Sequence, residues 1–330
     1  MKIAELDKFL GRFSKFVSWA TLFLIFVGGM VTSTGSGLAV PDWPLSYGMI
    51  FPPMVGGVFY EHGHRMAAAS VGFLTLCLTI FIWRKENRRW VKFLSLTALG
   101  SVILQGILGG ITVLFFLPKA VSIGHGILAQ TFLVLTIILA YSLSYERRER
   151  EAKNLPTNKN FLKLILFCVF LVYCQLILGA LMRHTGSGLA IPDFPTMGGS
   201  FFPNFDQKML SRINNWRFDH DLPLVTASQV LIHFIHRLWA LLIVITLCFL
   251  NYKAFKGYAK NKRIMNTLVW LNILLILQVF LGALTVLSGK LPIITSVHVV
   301  TGAAVLGICV LLCLRASPLS LRETKHIFQT

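Results

Sequence analysis

Four histidines, His64, His125, His236 and His298, fall at matching places in two copies of one sequence unit. Glu61-x-x-His64-Arg65 is repeated as His233-x-x-His236-Arg237 at a spacing of 172 residues, and His125 returns as His298 at a spacing of 173. Each copy therefore offers two imidazoles in register. Zinc or copper would gather three or four nitrogen, sulfur or carboxylate ligands. Two imidazoles alone form the axial set of a six-coordinate haem, whose porphyrin supplies the other four nitrogens. A single intramembrane histidine is readily read as bonded to a neighbouring helix. Two duplicated pairs point to a ligand, because ionisable groups within spans are costly and mark sites.

Around these histidines the two copies differ in one place. Glu61 stands three residues before His64, whereas His233 stands three before His236. Residues three apart share a helix face, so Glu61 is expected beside His64, where a carboxylate can move a proton or orient water. The asymmetry suggests that one half does chemistry while the other holds a permanent cofactor. The alternative for Glu61 is a solvated helix-start residue favoured by the macrodipole. Arg65 and Arg237 follow their histidines, and Lys119 and Lys290 precede His125 and His298 in short connections. All four cations suit carboxylates at a cofactor edge, with interfacial snorkelling as the other reading. Gly124, Gly126, Gly302, Gly63 and Ala67–Ala69 leave room for a bulky planar ligand, or for close helix contact.

The elements that must position these residues are membrane helices. With 55% hydrophobic and 13% charged residues, the chain is a polytopic membrane protein. Apolar runs at about 15–34, 63–83, 93–116, 121–145, 161–182, 227–251, 265–287 and 293–315 are each long enough to cross a ~30 Å hydrocarbon core. The run Thr34-Gly-Ser-Gly-Leu-Ala-Val-Pro-Asp-Trp-Pro44 recurs as Thr185-Gly-Ser-Gly-Leu-Ala-Ile-Pro-Asp-Phe-Pro195, offset by 151. About twenty residues are thus inserted in the second copy between 195 and 233. The expected fold is all-α and integral to the membrane: eight transmembrane helices as two tandem four-helix bundles, residues 1–150 and 151–330. The first span is too long, and too poor in a cleavage site, to be a removed signal. All four histidines fall near the same ends of helices two, four, six and eight, about one or two turns of 5.4 Å below one surface.

Of 31 Lys and Arg, 23 lie in the two tails and in the connections 84–92, 147–163 and 253–263; the other connections carry eight against six acids. This positive-inside bias places both termini in the cytoplasm and the histidines near the outer face. No connection is long enough to make a basic nucleic-acid-binding domain, so the net charge of +18 does not imply nucleic acid. The six cysteines all fall within spans, where no disulfide framework is expected. Gln105, Gln175 and Gln278 each open a Gln-x-x-Leu-Gly run and are expected to make interhelical hydrogen bonds.

The doubled Thr-Gly-Ser-Gly-Leu and Pro-Asp-Trp/Phe-Pro loop, with Glu61-x-x-His64-Arg65, His125, His236-Arg237 and His298, resembles the heme A synthases of bacteria and mitochondria over nearly the whole chain. The resemblance implies haem b ligated by His236 and His298 in the C-terminal half. Haem O would be held by His64 and His125 in the N-terminal half, with Glu61 as the essential carboxylate. Two successive hydroxylations of the C8 methyl, followed by loss of water from the gem-diol, would give the formyl group of haem A. Implied with it are a bacterial inner-membrane location and haem O synthase and an electron acceptor or donor as partners, with homo-oligomers compatible. Many bacterial members carry a cysteine pair in the first outer loop; residues 32–61 hold none, which makes this a cysteine-free outer-loop type. Two other functions compete. A di-haem carrier linked to quinol would place its histidine pairs toward opposite membrane faces, and a transporter would carry polar groups at both ends of its helices.

Overall fold

The structure, a computed structural model, describes residues 3–153 and 158–317. It is all-helical, with no strand among the described residues. The eight expected spans are α1 (Ile3–Ser33), α2 (Gly57–Lys85), α3 (Arg89–Leu114), α4 (Lys119–Ser142), α6 (Lys159–His184), α8 (Ala227–Tyr258), α9 (Lys262–Leu287) and α10 (Pro292–Ala316). Each contains a window apolar and long enough to cross a bilayer. The second-half helices open on local signals. Asn158 and Asn261 accept from Phe161 N and Ile264 N, Thr226 and Gln229 form a reciprocal capping box, and Pro292 occupies the first turn of α10.

Two further helices, α5 (Tyr145–Lys153) and α7 (Gln207–Phe218), are too polar to span and carry no apolar run to announce them. The ~20-residue insertion of the second copy is what builds α7. Its N-cap Asp206 accepts from Met209 N, and Met209 and Ile213 bury against Ala190, Ile191, Val225 and Val230. Arg217 pins it from the other end, donating to Leu189 O (2.8 Å) and Pro223 O (2.6 Å). On the opposite, basic face, α5 ties the connection between the halves to the second half through Arg315–Glu146 and Arg263–Glu149 pairs.

Packing follows the duplication. In the first half α1 packs on α2, α2 on α3, α3 on α4 and α4 on α1; in the second, α6, α8, α9 and α10 close the equivalent ring. The diagonal partners α2 and α4, and likewise α8 and α10, face each other across their rings. The seam between the rings is made by α1 on α10, α4 on α6 and α4 on α10. A pseudo-twofold axis parallel to the helices relates the halves, since the first two contacts exchange under the repeat.

Candidate functional site

Each histidine of interest lies six to nine residues inside the loop-face end of its helix: His64 on α2, His125 on α4, His236 on α8 and His298 on α10. Helices α2 and α4 are diagonal, as are α8 and α10, so each pair converges on the middle of its ring. His64 and His125 are within electrostatic reach of each other, as are His236 and His298.

Opposite every one of these rings stands a glycine from the preceding spanning helix. A Cβ added at Gly28 (α1) would lie 3.0 Å from His64 Cε1, and one at Gly109 (α3) 3.6 Å from His125 Cε1. For Gly179 (α6) and His236 the distance is 3.5 Å, and for Gly282 (α9) and His298 it is 3.1 Å. Gly28 and Gly179 are 151 residues apart and Gly109 and Gly282 are 173 apart, the offsets of the repeat itself. Gly28 and Gly179 carry no local signal in the sequence, and only their 151-residue register sets them apart from the other glycines of the spans.

One turn deeper than three of these glycines lie the glutamines. Gln105 Nε2 donates to His125 O (3.0 Å), Gln175 Nε2 donates to His236 O (3.1 Å) and lies 3.2 Å from His236 Nε2, and Gln278 Nε2 lies 3.5 Å from His298 Nε2. The interhelical role expected of them is what they have, and their partners are the histidines themselves. The fourth position, on α1, is Leu24.

The Nδ1 atoms of His64, His125, His236 and His298 are all buried without a protein partner. Buried polar atoms are normally satisfied, so four imidazoles in two matched pairs, each with an orphaned Nδ1, are candidates for holding a ligand. Among the described residues there is no cluster of three or more His, Cys, Asp or Glu able to hold a metal ion. Two imidazoles facing across a ring of helices, with glycines beside them, fit a metal that brings its own equatorial donors.

Above each pair the repeated loop is clamped in the same way. In the first half Arg65 donates to Asp42 O and Leu45 O (both 2.8 Å), to Val40 O (3.3 Å) and to Glu61 Oε1 (2.6 Å), while Val40 N donates to Glu61 Oε2 (2.8 Å). In the second half Arg237 donates to Ile191 O (3.2 Å), Asp193 O (2.9 Å) and Thr196 O (3.1 Å). His233 stands 3.2 Å from Ile191 N and 3.1 Å from Arg237 Nε. Glu61 and His233 thus fill one structural role, closing the loop between a backbone N–H and an arginine. A carboxylate has two acceptor oxygens and a neutral imidazole one acceptor nitrogen, so the first-half clamp is the stronger. Glu61 is buried at 4% exposure, which removes the solvated helix-start alternative.

The loops carry their own anchors. Gly35 and Gly186 (φ 70° and 72°) take the left-handed conformation that ends α1 and α6. Asp42 accepts from Gly48 N and Tyr47 N, and these bonds hold its carboxyl below the usual range. At Asp193 burial pushes the pKa up, but bonds from Thr196, Gly199 and Gly198 outweigh it and the net shift is downward. Depressed carboxylate pKa values mean that both anchors hold at neutral pH and weaken only as pH falls through the folded-state values. Ser46, fully buried, bonds His62 Nδ1 (2.8 Å), so His62 supports the loop from the interior. Trp43 reaches across the mouth of the first ring and packs on Gly110, where a Cβ would come within 2.7 Å of the indole.

Other sequence candidates are distributed unevenly. Arg65 and Arg237 spend their donors on loop carbonyls. Lys119 is exposed at the start of α4, and Lys290 (φ 65°) lies with its Cδ over Gly188. In the register of the repeat Lys290 matches Leu117, which covers Gly37 in the same manner, and Lys119 matches Pro292. All six cysteines are free and lie in spanning helices.

The sequence profile of the cytochrome oxidase assembly protein family matches residues 54–310. The chain belongs to this family. Among its curated relatives, the heme A synthase of Bacillus licheniformis is 30% identical over 275 residues, covering 82% of this chain and 83% of its own. That of Bacillus pumilus is 27% identical over 288 residues, 85% of this chain and 87% of its own. The heme A synthase of Listeria monocytogenes is 24% identical over 319 residues, 94% and 97% of the two chains. The matched span takes in His64, His125, His236, His298 and Glu61, so the family relation covers both histidine pairs.

Proposed function

We propose that this member of the cytochrome oxidase assembly protein family is a heme A synthase, an oxidoreductase that converts the C8 methyl of haem O to a formyl group. The observation that carries the proposal is the pair of diagonal bis-histidine sites, each with orphaned Nδ1 atoms and a facing glycine, in a chain of this family. His236 and His298 would hold haem b, which supplies redox chemistry when bound. His64 and His125 would hold the haem substrate. Glu61 would be the acid/base carboxylate of the first site, fixed in place by Arg65 and Val40 N–H.

The assignment of substrate to the first half draws support from the cover over the two sites. Helix α7 and its small apolar core lie over the loop of the second ring, as suits a resident cofactor, whereas the first ring has only the 34–56 loop with Trp43 as its cover. The first-half loop also falls in the cysteine-free subtype, with buried Ser46 and His62 supporting it from within. Haem O synthase and an electron acceptor remain the partners this chemistry asks for. Co-expression with a haem O synthase, followed by extraction and chromatography of the haems, should yield haem A or its hydroxylated precursor. Unaltered haem b as the sole product would make the chain a di-haem electron carrier.

We also infer a bacterial cytoplasmic-membrane location with the basic face inward, from the loop charge asymmetry. Cysteines placed at Ile50 and Phe218, which are 69% and 76% exposed on the loop face, should react with an impermeant thiol reagent in intact spheroplasts. Protection at both sites, with labelling after lysis, would reverse the orientation.

A further inference from the structure

The seam between the two rings holds an arginine with no acidic partner. Arg183, one residue before the end of α6, extends across the seam to α1, where Nη2 donates to Gly29 O (2.8 Å) and Ser33 Oγ (2.5 Å). Ser33 is in turn bonded by Ser296 of α10 (3.1 Å), and a Cβ at Gly29 would lie 3.3 Å from Ser296 Cβ. Arg183 thereby joins three helices that carry or face ligand histidines. Gly179, one turn below it on the same face of α6, packs on His236. Ser296 is two residues before His298, and Gly28, beside Gly29, packs on His64.

The charge around Arg183 is uniformly positive. Lys290 is held close enough to Arg183 and Arg217 that burial, first, and then these two cations push its pKa down. Of the six loop-face carboxylates, Glu61 pairs with Arg65, Asp42 and Asp193 hold their own turns and Asp206 caps α7, while Asp219 and Asp221 are exposed just past the end of α7. No ion pair of Arg183 or Lys290 occurs among the described residues. Arg217 is spent on the carbonyls of Leu189 and Pro223. Arg183 is half-buried, with Nη2 bonded only to neutral oxygens, and Lys290 stands exposed just before α10 with its Cδ over Gly188; both lie toward the loop-face ends of the helices that carry or face His236 and His298. The position on α1 that matches Arg183 is Thr32, so the feature belongs to the second half alone.

We propose that Arg183 and Lys290 form a carboxylate-binding site at the seam, and that the carboxylate is a propionate of the haem held by His236 and His298. The proposal rests on the haem b reading given above. It places the propionate contact on residues whose donors are available, in contrast to Arg65 and Arg237. A cation at a haem propionate offsets its negative charge and disfavours the ferric iron, so it raises the reduction potential and keeps the propionate ionised.

The test is an optical redox titration of the purified holoprotein across neutral pH. Arg183→Gln should keep the low-spin spectrum and lower the haem potential by about tenfold in the ferric-to-ferrous equilibrium, ~59 mV for one electron. The potential should also acquire a pH slope, because the propionate now titrates; Arg183→Lys should restore most of both. Should Arg183→Gln shed its haem, Lys290→Gln must show a smaller shift of the same sign. Wild-type potential and pH profile in Arg183→Gln, or in Lys290→Gln when that variant stands in, would overturn the site. Protein from cells that make no haem O should show the same shift. A shift confined to cells that make haem O would assign the carboxylate to the substrate and overturn the second-half placement. A wild-type protein without a bis-histidine spectrum would instead defeat the haem b reading itself.

Discussion

Purified His236→Ala and His298→Ala proteins are expected to lack the Soret and alpha bands of six-coordinate haem b. On the proposed assignment each substitution would remove one of the two histidines that hold the haem, and no neighbouring side chain could replace the imidazole. The neighbouring side chains are the glutamines, which are poor iron ligands, and the facing positions are Gly179 and Gly282. The same substitutions at His64 or His125 should leave those bands in place, because the two rings are separate and share only the seam helices. A normal reduced spectrum in both second-half variants would refute the assignment of the resident haem to that half. Loss of the bands on substituting His64 or His125 alone would reverse the roles of the two halves.

For Glu61 the expected result is a fall of ~10²–10⁴-fold in the rate of haem A formation, the usual cost of losing a positioned acid/base group. The choice of variant matters, because Glu61 also closes the loop clamp. Its pair with Arg65 is 2.6 Å long, with the two side chains 5% and 16% exposed. Truncation to Ala would leave a largely buried arginine unpaired, which typically costs ~3–5 kcal/mol, and would mix unfolding with lost chemistry. Glu61→Gln keeps an acceptor for Val40 N. Glu61→His installs the residue that the second half already uses against Arg237 and Ile191 N. Both should fold, retain the haem b spectrum, and accumulate haem O or a hydroxylated intermediate. Haem A yield close to wild type in both variants, at equal protein level, would reduce Glu61 to a loop clamp.

These two predictions draw on different kinds of information. The eight spans, the doubled unit and the depth of the four histidines could be read from sequence. A bilayer imposes one length scale and one solvent on every segment, so local apolarity reports the helices directly, and duplication reports which polar residues are equivalent. That the histidines form two pairs, and that Glu61 and His233 differ at one equivalent position, also followed from register alone. The polar helices α5 and α7 did not, since neither carries a run of apolar residues and each is held by partners distant in sequence: Arg315 and Arg263 for α5, and the Leu189 carbonyl with Ala190 and Ile191 for α7.

Tertiary structure alone decided what the equivalent residues touch. Glu61 was legible as a carboxylate one turn from His64, but its bonds to Val40 N and Arg65 depend on how a 23-residue loop folds back over the helix ends. Arg65 and Arg237 read from sequence as free cations at the rim, and the fold occupies their donors with loop carbonyls. Gly28 and Gly179 were indistinguishable in sequence from the other glycines of the spans, because a glycine records only that a side chain is absent. Which ring packs into that space is fixed by the pairing of α1 with α2 and of α6 with α8. Arg183 shows the same limit most plainly. Hydropathy locates it at a helix end, where a snorkelling cation is unexceptional, and only the closure of two rings along a shared seam brings it above a histidine pair with no carboxylate to answer it.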